Sequence, residues 1–574
     1  MDNQTIARLF SDVGDLLELK GANPFKIRAY RGAADVLGSM GERVADLTVE
    51  ELRAIPGIGK ELSAKIRELA DTGHVAFHQE LLQEFPPTIL DLLHLQGVGP
   101  KTVALLYREL DIGSLDGLEQ AALEGRLRGL RRLGPKTEQL ILRAIAEYRR
   151  RSGRYPMPDV QEIADALTAH LRASQAKAAI TPVGSLRRGR DTCGDVDLLA
   201  TGATPNLLSR FTDYPGVDRI LGRGETKASI LLPDGLQADL RLVPAESAGA
   251  ALQYFTGSKA HNIALRDRAL QRGLKLNEYG VFRLVDGDTI AGGTEAGVYD
   301  ALGLPFIPPE LREHRGEIAA AEAGALPQLV DRDDLRGDLH THTSESDGRA
   351  DLETMALAAR DAGLEYLAVT DHSQSLAMAN GLDERRTLAH ARRIRALDAT
   401  LDGITLFAGI ECDILPDGSL DLSEDCLAEL DIVVASVHSA FSQEERQMTD
   451  RLLRAVESPV VDVIGHPTGR LLSRRAPYRV DVDALVEAAA THRVALEINS
   501  QTDRLDLNDA HARLARDRGV LLVISSDAHA PAAFGSLRWG IVVARRAWLE
   551  PQHVLNTRSA DAVRAALRRN ASRG

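Results

Sequence analysis

The sequence predicts a multidomain chain with a helical N-terminal region, an α+β middle and a parallel α/β C-terminal domain. Three observations carry this. In the first quarter, apolar positions recur at helical spacing between Gly- and Pro-containing turns. The middle holds strand-like runs interrupted by paired aspartates, and from 335 onward apolar runs of strand length alternate with helical segments. A length of 574 residues with ordinary globular composition also calls for several domains, which we place at 1–88, 89–154, 155–245, 246–315, a linker at 316–333, and 334–574.

Residues 1–85 read as short amphipathic helices. ELRAIPGIGKELSAKIRELADTG gives a helix, a Pro-Gly-Ile-Gly hairpin and a second helix running through Leu62, Ile66 and Leu69. The turn around Gly57, Gly59 and Lys60 is similar to the helix-hairpin-helix motif, in which glycines let backbone amides approach a DNA phosphate at a helix N-terminus. The pattern returns at Gly97, Gly99 and Lys101, and in degenerate form at Gly134-Pro135-Lys136. Such turns grip DNA backbone without reading sequence.

The net charge of -14 weighs against a nucleic-acid partner, because phosphate contacts need Lys and Arg. Its distribution answers the objection. Lys+Arg against Asp+Glu is 22 to 22 over residues 1–155, 18 to 20 over 156–316 and 29 to 41 over 317–574, so the acidity is concentrated in the last segment. The three cysteines, Cys193, Cys412 and Cys426, are too few and scattered for a disulfide framework or a zinc finger, which favours a reducing compartment. The N-terminus has no basic start followed by an apolar core, and no apolar run is long enough to span a bilayer, so a cytoplasmic, nucleoid-associated protein without membrane contact is expected.

Arg154-Tyr155-Pro156-Met157-Pro158 marks a hinge, since two prolines stop the preceding helix, and a helix is expected over about 159–173. Then comes GSLRRGRDTCGDVDLLA, residues 184–200. Asp195 and Asp197 lie two apart, so a strand's period of two puts both carboxylates on one face. Side by side they raise each other's pKa unless a cation sits between them, which points to a hard divalent ion, Mg2+ first, with Mn2+ able to substitute. Gly184, Ser185, Arg187 and Arg188 supply a tight turn, a hydroxyl and guanidinium donors suited to a polyphosphate. In QADLRLV, Asp239 and Arg241 share a strand face, so Asp239 can add a third carboxylate. Three such carboxylates are what two-metal nucleotidyl transfer needs.

GSLRRGRDTCGDVDLL resembles the nucleotidyltransferase signature of family X DNA polymerases, the repair polymerases related to DNA polymerase beta, in the bacterial form with a C-terminal PHP domain. The resemblance implies a palm and thumb. It places Asp195, Asp197 and Asp239 on the metals, and Gly184, Ser185, Arg188 and the Gly194 amide on the triphosphate. In ALQYFTGSKAHNIALRD it places Tyr254, Phe255 and Gly257 against the incoming sugar, Asn262 at the base's minor-groove edge and Arg266 near the template. LPFIPPELR, from Leu304, is similar to the family's closing signature. Lys65, with Lys26 and Tyr30, matches the site where some relatives form a Schiff base with an abasic sugar. A Schiff-base lysine must be neutral to attack, and a lysine at most touching phosphate fits the same position. Gln237 departs from the family, standing where relatives carry an Arg that orients the third aspartate.

The C-terminal domain has its own chemistry. Seven apolar runs end in polar residues: DLHTHTSESD, YLAVTDHS, LFAGIEC, DIVVASVHS, VVDVIGHP, VALEINS and LLVISSDAH. In a β/α barrel such groups converge on the face formed by the C-terminal strand ends. His340, His342, Asp347, His372, Glu411, His438, His466, Asp527 and His529 fall there, six histidines and three carboxylates that call for metal. They resemble the nine-ligand pattern of the PHP family, which implies a distorted (β/α)7 barrel holding up to three zinc, manganese or iron ions. His390, His492, His511 and His553 sit in helical segments and read as surface groups.

These readings combine into a gap-filling DNA repair polymerase that carries a 3′-5′ exonuclease, with abasic endonuclease or 3′-phosphatase action as variants. Its expected partners are gapped or nicked DNA and dNTPs, and the chain is expected to be a monomer. The alternatives are a PHP phosphoesterase whose polymerase-like half only binds DNA, and a non-catalytic scaffold.

Overall fold

The structure is a computed structural model, and it describes residues 3–567 apart from 40–43, 45–46, 56, 73–74, 87, 94, 96–97, 131–132, 152–153 and 234. The chain divides into two compact units, 1–152 and 153–574. Among the described residues no helix is long and apolar enough to cross a membrane.

Among its described residues the first unit is all helical, from Asn3–Leu19 to Pro135–Arg151. One hydrophobic cluster runs through it from Ile6 to Ile145. The helix Lys60–Thr72 follows the first GxG turn and buries Leu62, Ile66 and Leu69, the stripe its spacing predicted. Gly59 and Gly99 each directly precede a helix, and the space that a Cβ would fill at Gly57, Gly59 and Gly99 is open. Ile58 and Val98, the residues between or beside those glycines, point inward and anchor each turn. Gly97 lies outside the described residues.

The second unit opens with the helix Met157–Arg172, close to the expected span, packed on a five-stranded sheet. Its strands are β1 (Ala179–Pro182), β2 (Asp195–Thr201), β3 (Arg219–Arg223), β4 (Lys227–Leu231) and β5 (Gln237–Val243), in the order β1-β2-β5-β4-β3. β2 and β5 are parallel neighbours, and Val196, Leu198, Ala238 and Leu240 face the core between the polar positions. Helices Ala248–Thr256 and Lys259–Gln271 then lead to an antiparallel sheet of β6 (Leu274–Asn277), β7 (Gly280–Arg283) and β8 (Thr289–Ala291).

The C-terminal strands are β9 (Gly337–Asp338), β10 (Tyr366–Val369), β11 (Thr405–Asp413), β12 (Ile432–Ser436), β13 (Val463–Ile464), β14 (Ala495–Asn499) and β15 (Leu522–Ser525). They pair in sequential order, all parallel, and each arises from one of the seven apolar runs. A parallel bridge between Thr341 and Ala528 brings the chain after β15 back to the chain after β9, so the sheet curls nearly shut.

Residues 316–333, expected as a linker, are built into the fold. Glu317 begins the helix Glu317–Glu322 and is fully buried, with its carboxylate 2.6 Å from the ring of His261. The Val330 amide donates to the Leu549 carbonyl at 2.9 Å. The physical reason is visible in the core: one hydrophobic cluster runs without a break from Met157 and Leu240 through Val330 and Leu335 into the barrel.

Candidate active sites

The first centre sits on β2 and β5. Asp197 is the register partner of Asp239 across the parallel pair, and Asp195, two residues earlier, shares its face. Burial first, and then the Asp195 and Asp239 carboxylates, push Asp197 up to about 6. Burial and Asp239 also raise Asp195. Repelling oxygen ligands of this kind, half withdrawn from water, are a donor set suited to a hard divalent ion.

Asp239 behaves differently. Burial would raise it, but hydrogen bonds from Lys227, Ser229 and Gln237 hold it below the usual carboxylate range. Lys227 Nζ on β4 lies 2.6 Å from Asp239 Oδ2, and Gln237 Nε2 donates to Oδ1 at 3.0 Å. The place left by the expected Arg is thus shared between Gln237 and a lysine on the neighbouring strand. Sequence reasoning missed Lys227, because only the register of β4 on β5 brings it there.

The turn before β2 fits closely around the carboxylates. Gly184 has φ +65°, and a Cβ on it would lie 2.6 Å from Asp197 Oδ2, so any side chain there strains the backbone and displaces the carboxylate. Arg188 Nε donates to Glu313 Oε1 at 3.0 Å and Nη1 to the Thr256 carbonyl, which leaves the Nη2 edge for an anion. A Cβ on Gly257, at φ +71°, would lie 3.1 Å from Arg188 Nη1. Arg187 makes a two-pronged pair with Glu295.

Tyr254 and Phe255 meet edge to face with ring centroids 5.1 Å apart, and Arg241 covers the Phe255 ring at 4.6 Å. Asn262 is nearly buried. Its oxygen accepts from Gln253 and its Nδ2 donates to the Tyr254 carbonyl, each at 2.7 Å, so one amide hydrogen is left over. Arg266 lies exposed one turn further on.

In the helical unit, Lys65 Nζ lies 3.2 Å from Glu61 Oε1 and 4.6 Å from the centre of the Phe77 ring. Lys26 reaches the same two groups, and the Tyr30 hydroxyl donates to Glu61 at 3.3 Å. All three residues singled out for lyase chemistry therefore meet at one place, around the Glu61 carboxylate. The Lys65 side chain is only 17% exposed, so it is not a solvated surface lysine.

The second centre lies at the C-terminal ends of the barrel strands, where all nine expected residues converge. His342, Asp347, His372 and His529 bring ligand atoms within 4.8 Å of one another, as do His340, His342 and Asp527, and His372, Glu411 and His438. His466 Nε2 is 3.0 Å from Glu411 Oε1. The fit to metal can be tested on the buried atoms themselves. His340 Nε2, both ring nitrogens of His342, His372 Nδ1, His466 Nδ1 and Glu411 Oε2 are buried and make no hydrogen bond of acceptable geometry, though carboxylate oxygens lie close. Buried ring nitrogens and a carboxylate oxygen crowded together without hydrogen-bond partners are what metal ligands look like when no hydrogen bond can serve them.

Behind these nine residues stand carboxylates that the sequence did not single out. Glu497 Oε1 lies 2.7 Å from His340 Nδ1, and its other oxygen accepts the His466 amide. Asp413 holds His438 Nδ1 at 2.5 Å, and the Asp527 carbonyl lies 2.9 Å from His529 Nδ1. These contacts fix which ring nitrogen turns toward the centre. Burial opposes protonation of His372 and His438, but Glu411 overrides it and raises them to about 10 and about 9. His342, buried between His372 and His529, is lowered to about 4.

His390, expected on the surface, is 2% exposed. Its Nε2 lies 2.9 Å from Asp371, which also accepts from the Thr343 amide and hydroxyl and so pins the loop after His342. The ligand cluster opens into a cleft of about 960 Å³ whose lining includes Arg349, Arg504, Arg538 and Trp539. Cations beside a metal cluster suit a phosphodiester.

Family models match most of the chain: a helix-hairpin-helix domain at residues 1–75, a SAM-like helix-hairpin-helix tandem at 89–147, the DNA polymerase beta palm at 154–213, the DNA polymerase beta thumb at 251–313 and the PHP domain at 338–501. The DNA polymerase/3′-5′ exonuclease PolX of Bacillus subtilis is 38% identical over 99% of this chain and 100% of its own length. Probable phosphatases of Shewanella sediminis (31% identical) and Thermoanaerobacter sp. (30% identical) match 38% of this chain over 88% and 89% of their own lengths.

Proposed function

The chain belongs to the bacterial family X DNA polymerases that carry a C-terminal PHP domain, and from that premise we propose that it extends DNA primers across short gaps and removes nucleotides from 3′ ends. The observation that carries the first half is the register of Asp197 on Asp239 with Asp195 beside them, a carboxylate trio on two parallel strands next to a glycine turn in which a side chain would displace the Asp197 carboxylate. The second half rests on the nine converging ligands and their unpartnered buried nitrogens.

Asp195 and Asp197 would hold both polymerase ions, Mg2+ or Mn2+, and Asp239 the one at the primer hydroxyl. The barrel would hold up to three Zn2+ or Mn2+ ions. When bound, such ions lower the pKa of the attacking hydroxyl or water and neutralise charge on the phosphate. Ser185, the Nη2 edge of Arg188 and the Gly194 amide take the triphosphate, while Tyr254, Phe255 and Gly257 close over the sugar. Asn262 offers its remaining amide hydrogen to the base edge, and Arg266 lies toward the template. Gly57, Gly59, Lys60, Gly99 and Lys101 supply sequence-independent backbone contacts. In the cleft, Arg349, Arg504 and Arg538 orient the DNA phosphate. The protein acts as a monomer on gapped or nicked DNA in the nucleoid.

End-labelled primer extension and degradation test both halves with single substitutions. Asp197→Ala abolishes extension and leaves degradation intact, and His342→Ala does the reverse. Extension that survives Asp197→Ala sinks the polymerase half, and degradation that survives His342→Ala sinks the nuclease half. A second reading, abasic-sugar lyase action, is favoured by the meeting of Lys26, Tyr30 and Lys65 at Glu61. Borohydride trapping of an abasic-site oligonucleotide should vanish in Lys65→Ala, and unchanged trapping removes the reading.

A further inference from the structure

The segment Arg188–Asp191, between the short helix Gly184–Arg187 and Thr192, belongs to no strand or helix. Side chains of the PHP domain hold much of it. Arg546 ends the helix Leu537–Arg546 and is 3% exposed. Its Nη1 donates to the main-chain carbonyl of Arg188 at 2.6 Å and to Glu313 Oε1 at 3.1 Å, and its Nη2 donates to Asp509 Oδ2 at 2.9 Å. The same Glu313 oxygen receives Arg188 Nε, so one carboxylate joins a barrel guanidinium to the guanidinium assigned to the triphosphate.

Three residues along, Asp191 Oδ2 accepts from Arg470 Nη1 at 2.9 Å. Arg470 is 8% exposed and follows the metal-site residue His466 by four positions. It is locked in turn by the carbonyls of Arg504 and Leu505. Between the two arginines, Gly189 at φ +66° lies so close to the barrel that a Cβ would stand 2.2 Å from Val542 Cγ1.

Contacts that merely joined two domains would be satisfied by exposed pairs at a rim, which contribute little. Here two nearly buried guanidiniums converge on one irregular segment of four residues. One of them pins the carbonyl that sets the backbone of Arg188, and the shared Glu313 sets the direction of its side chain. We propose that Arg546 and Arg470 of the PHP domain are positioning residues for nucleotidyl transfer, so that the triphosphate pocket is complete only when the barrel is packed behind it. This rests on the assignment of Arg188 to the triphosphate. It goes beyond two activities sharing a chain, because the nuclease domain then contributes to nucleotide affinity in the polymerase.

The test is steady-state filling of a single-nucleotide gap by the full-length chain, with the melting temperature and 3′-end degradation measured on the same samples. Loss of a charge-assisted contact that orients Arg188 should raise the dNTP KM roughly tenfold or more in Arg546→Met and several-fold in Arg470→Gln, with kcat within about threefold of wild type. Arg546→Lys, which keeps the charge but loses the fork, should fall between. A dNTP KM unchanged in both Arg546→Met and Arg470→Gln overturns the proposal. So does a rise in KM matched by equal losses of kcat and degradation, which would mark a purely structural role. If Arg546→Met melts early, Arg470→Gln decides alone, since Asp191 is the one hydrogen-bond partner of Arg470 that lies on the segment. A wild-type chain that extends no primer would instead sink the polymerase reading itself.

Discussion

Asp197→Asn should make the metal-free protein more stable while abolishing extension. Asp197 has an ordinary value of 3.8 and is pushed up to about 6 by burial and by Asp195 and Asp239. At roughly 1.4 kcal/mol per pKa unit, keeping it ionised in the fold costs about 3 kcal/mol near pH 8. The sign follows from proton binding. Below 3.8 the carboxyl is protonated in folded and unfolded chains alike, so its stabilising protonation is fully present there. As pH rises through about 6 the folded chain gives up a proton it held more tightly, and stability is lost. Asparagine has no proton to lose. Urea unfolding followed by circular dichroism, in chelator, should show the variant's advantage growing by roughly 1.5 kcal/mol between pH 5 and pH 8. The chelator strips the barrel in both proteins, so that contribution cancels. Millimolar Mg2+ at pH 8 should close the gap, because only the aspartate gains a cation. An advantage flat across pH, or indifferent to Mg2+, would refute the argument.

Lys227→Met should lower the Mg2+ concentration for half-maximal extension by a few-fold, because the ammonium on Asp239 competes with the incoming ion; a higher Mg2+ requirement would contradict this. Gly184→Ala should cut extension at least ~100-fold with degradation unchanged, since the methyl would stand 2.6 Å from Asp197 Oδ2 in a left-handed backbone. Glu497→Gln should weaken barrel metal affinity roughly 10- to 100-fold, read by competition with a chromogenic chelator, through its hold on His340 and His466. His372 and His438, raised to about 10 and about 9, keep protons through neutral pH in the metal-free site. Zn2+ or Mn2+ uptake should therefore strengthen as pH rises from 6 to 8 and release protons, which calorimetry in buffers of different ionisation enthalpy would count; uptake without proton release would be a failure of this account.

Much of this was legible because both centres are marked in the chain itself. A polar residue that ends an apolar run has few uses in a barrel, so the nine residues that converge there announced themselves. The paired aspartates did the same by sitting on one face of an otherwise buried strand. What stayed hidden depends on register and on distant partners. Lys227 is an unremarkable strand residue until β4 is laid against β5. Glu497 also ends an apolar run, but its role is to hold His340, 157 positions away. His390 could have been found, because Thr387, Ala391 and Ile394 share its helix face at helical spacing and all are buried. The stretch 316–333 has the composition of a linker, and Glu317 lies inside because His261, far upstream, and the amides of His314 and Arg315 meet its carboxylate.

The barrel's sequential strand order has a consequence for how the molecule comes into being on the ribosome. The side chains proposed to hold its ions run from His340 to His529, and the last pair follows the final strand. A nascent chain cannot bring all nine of these side chains together until almost all of it has emerged. A translation product cut short before Asp527 therefore lacks two of the nine side chains proposed to hold the barrel ions, and it also lacks Arg546, which holds the Arg188 carbonyl.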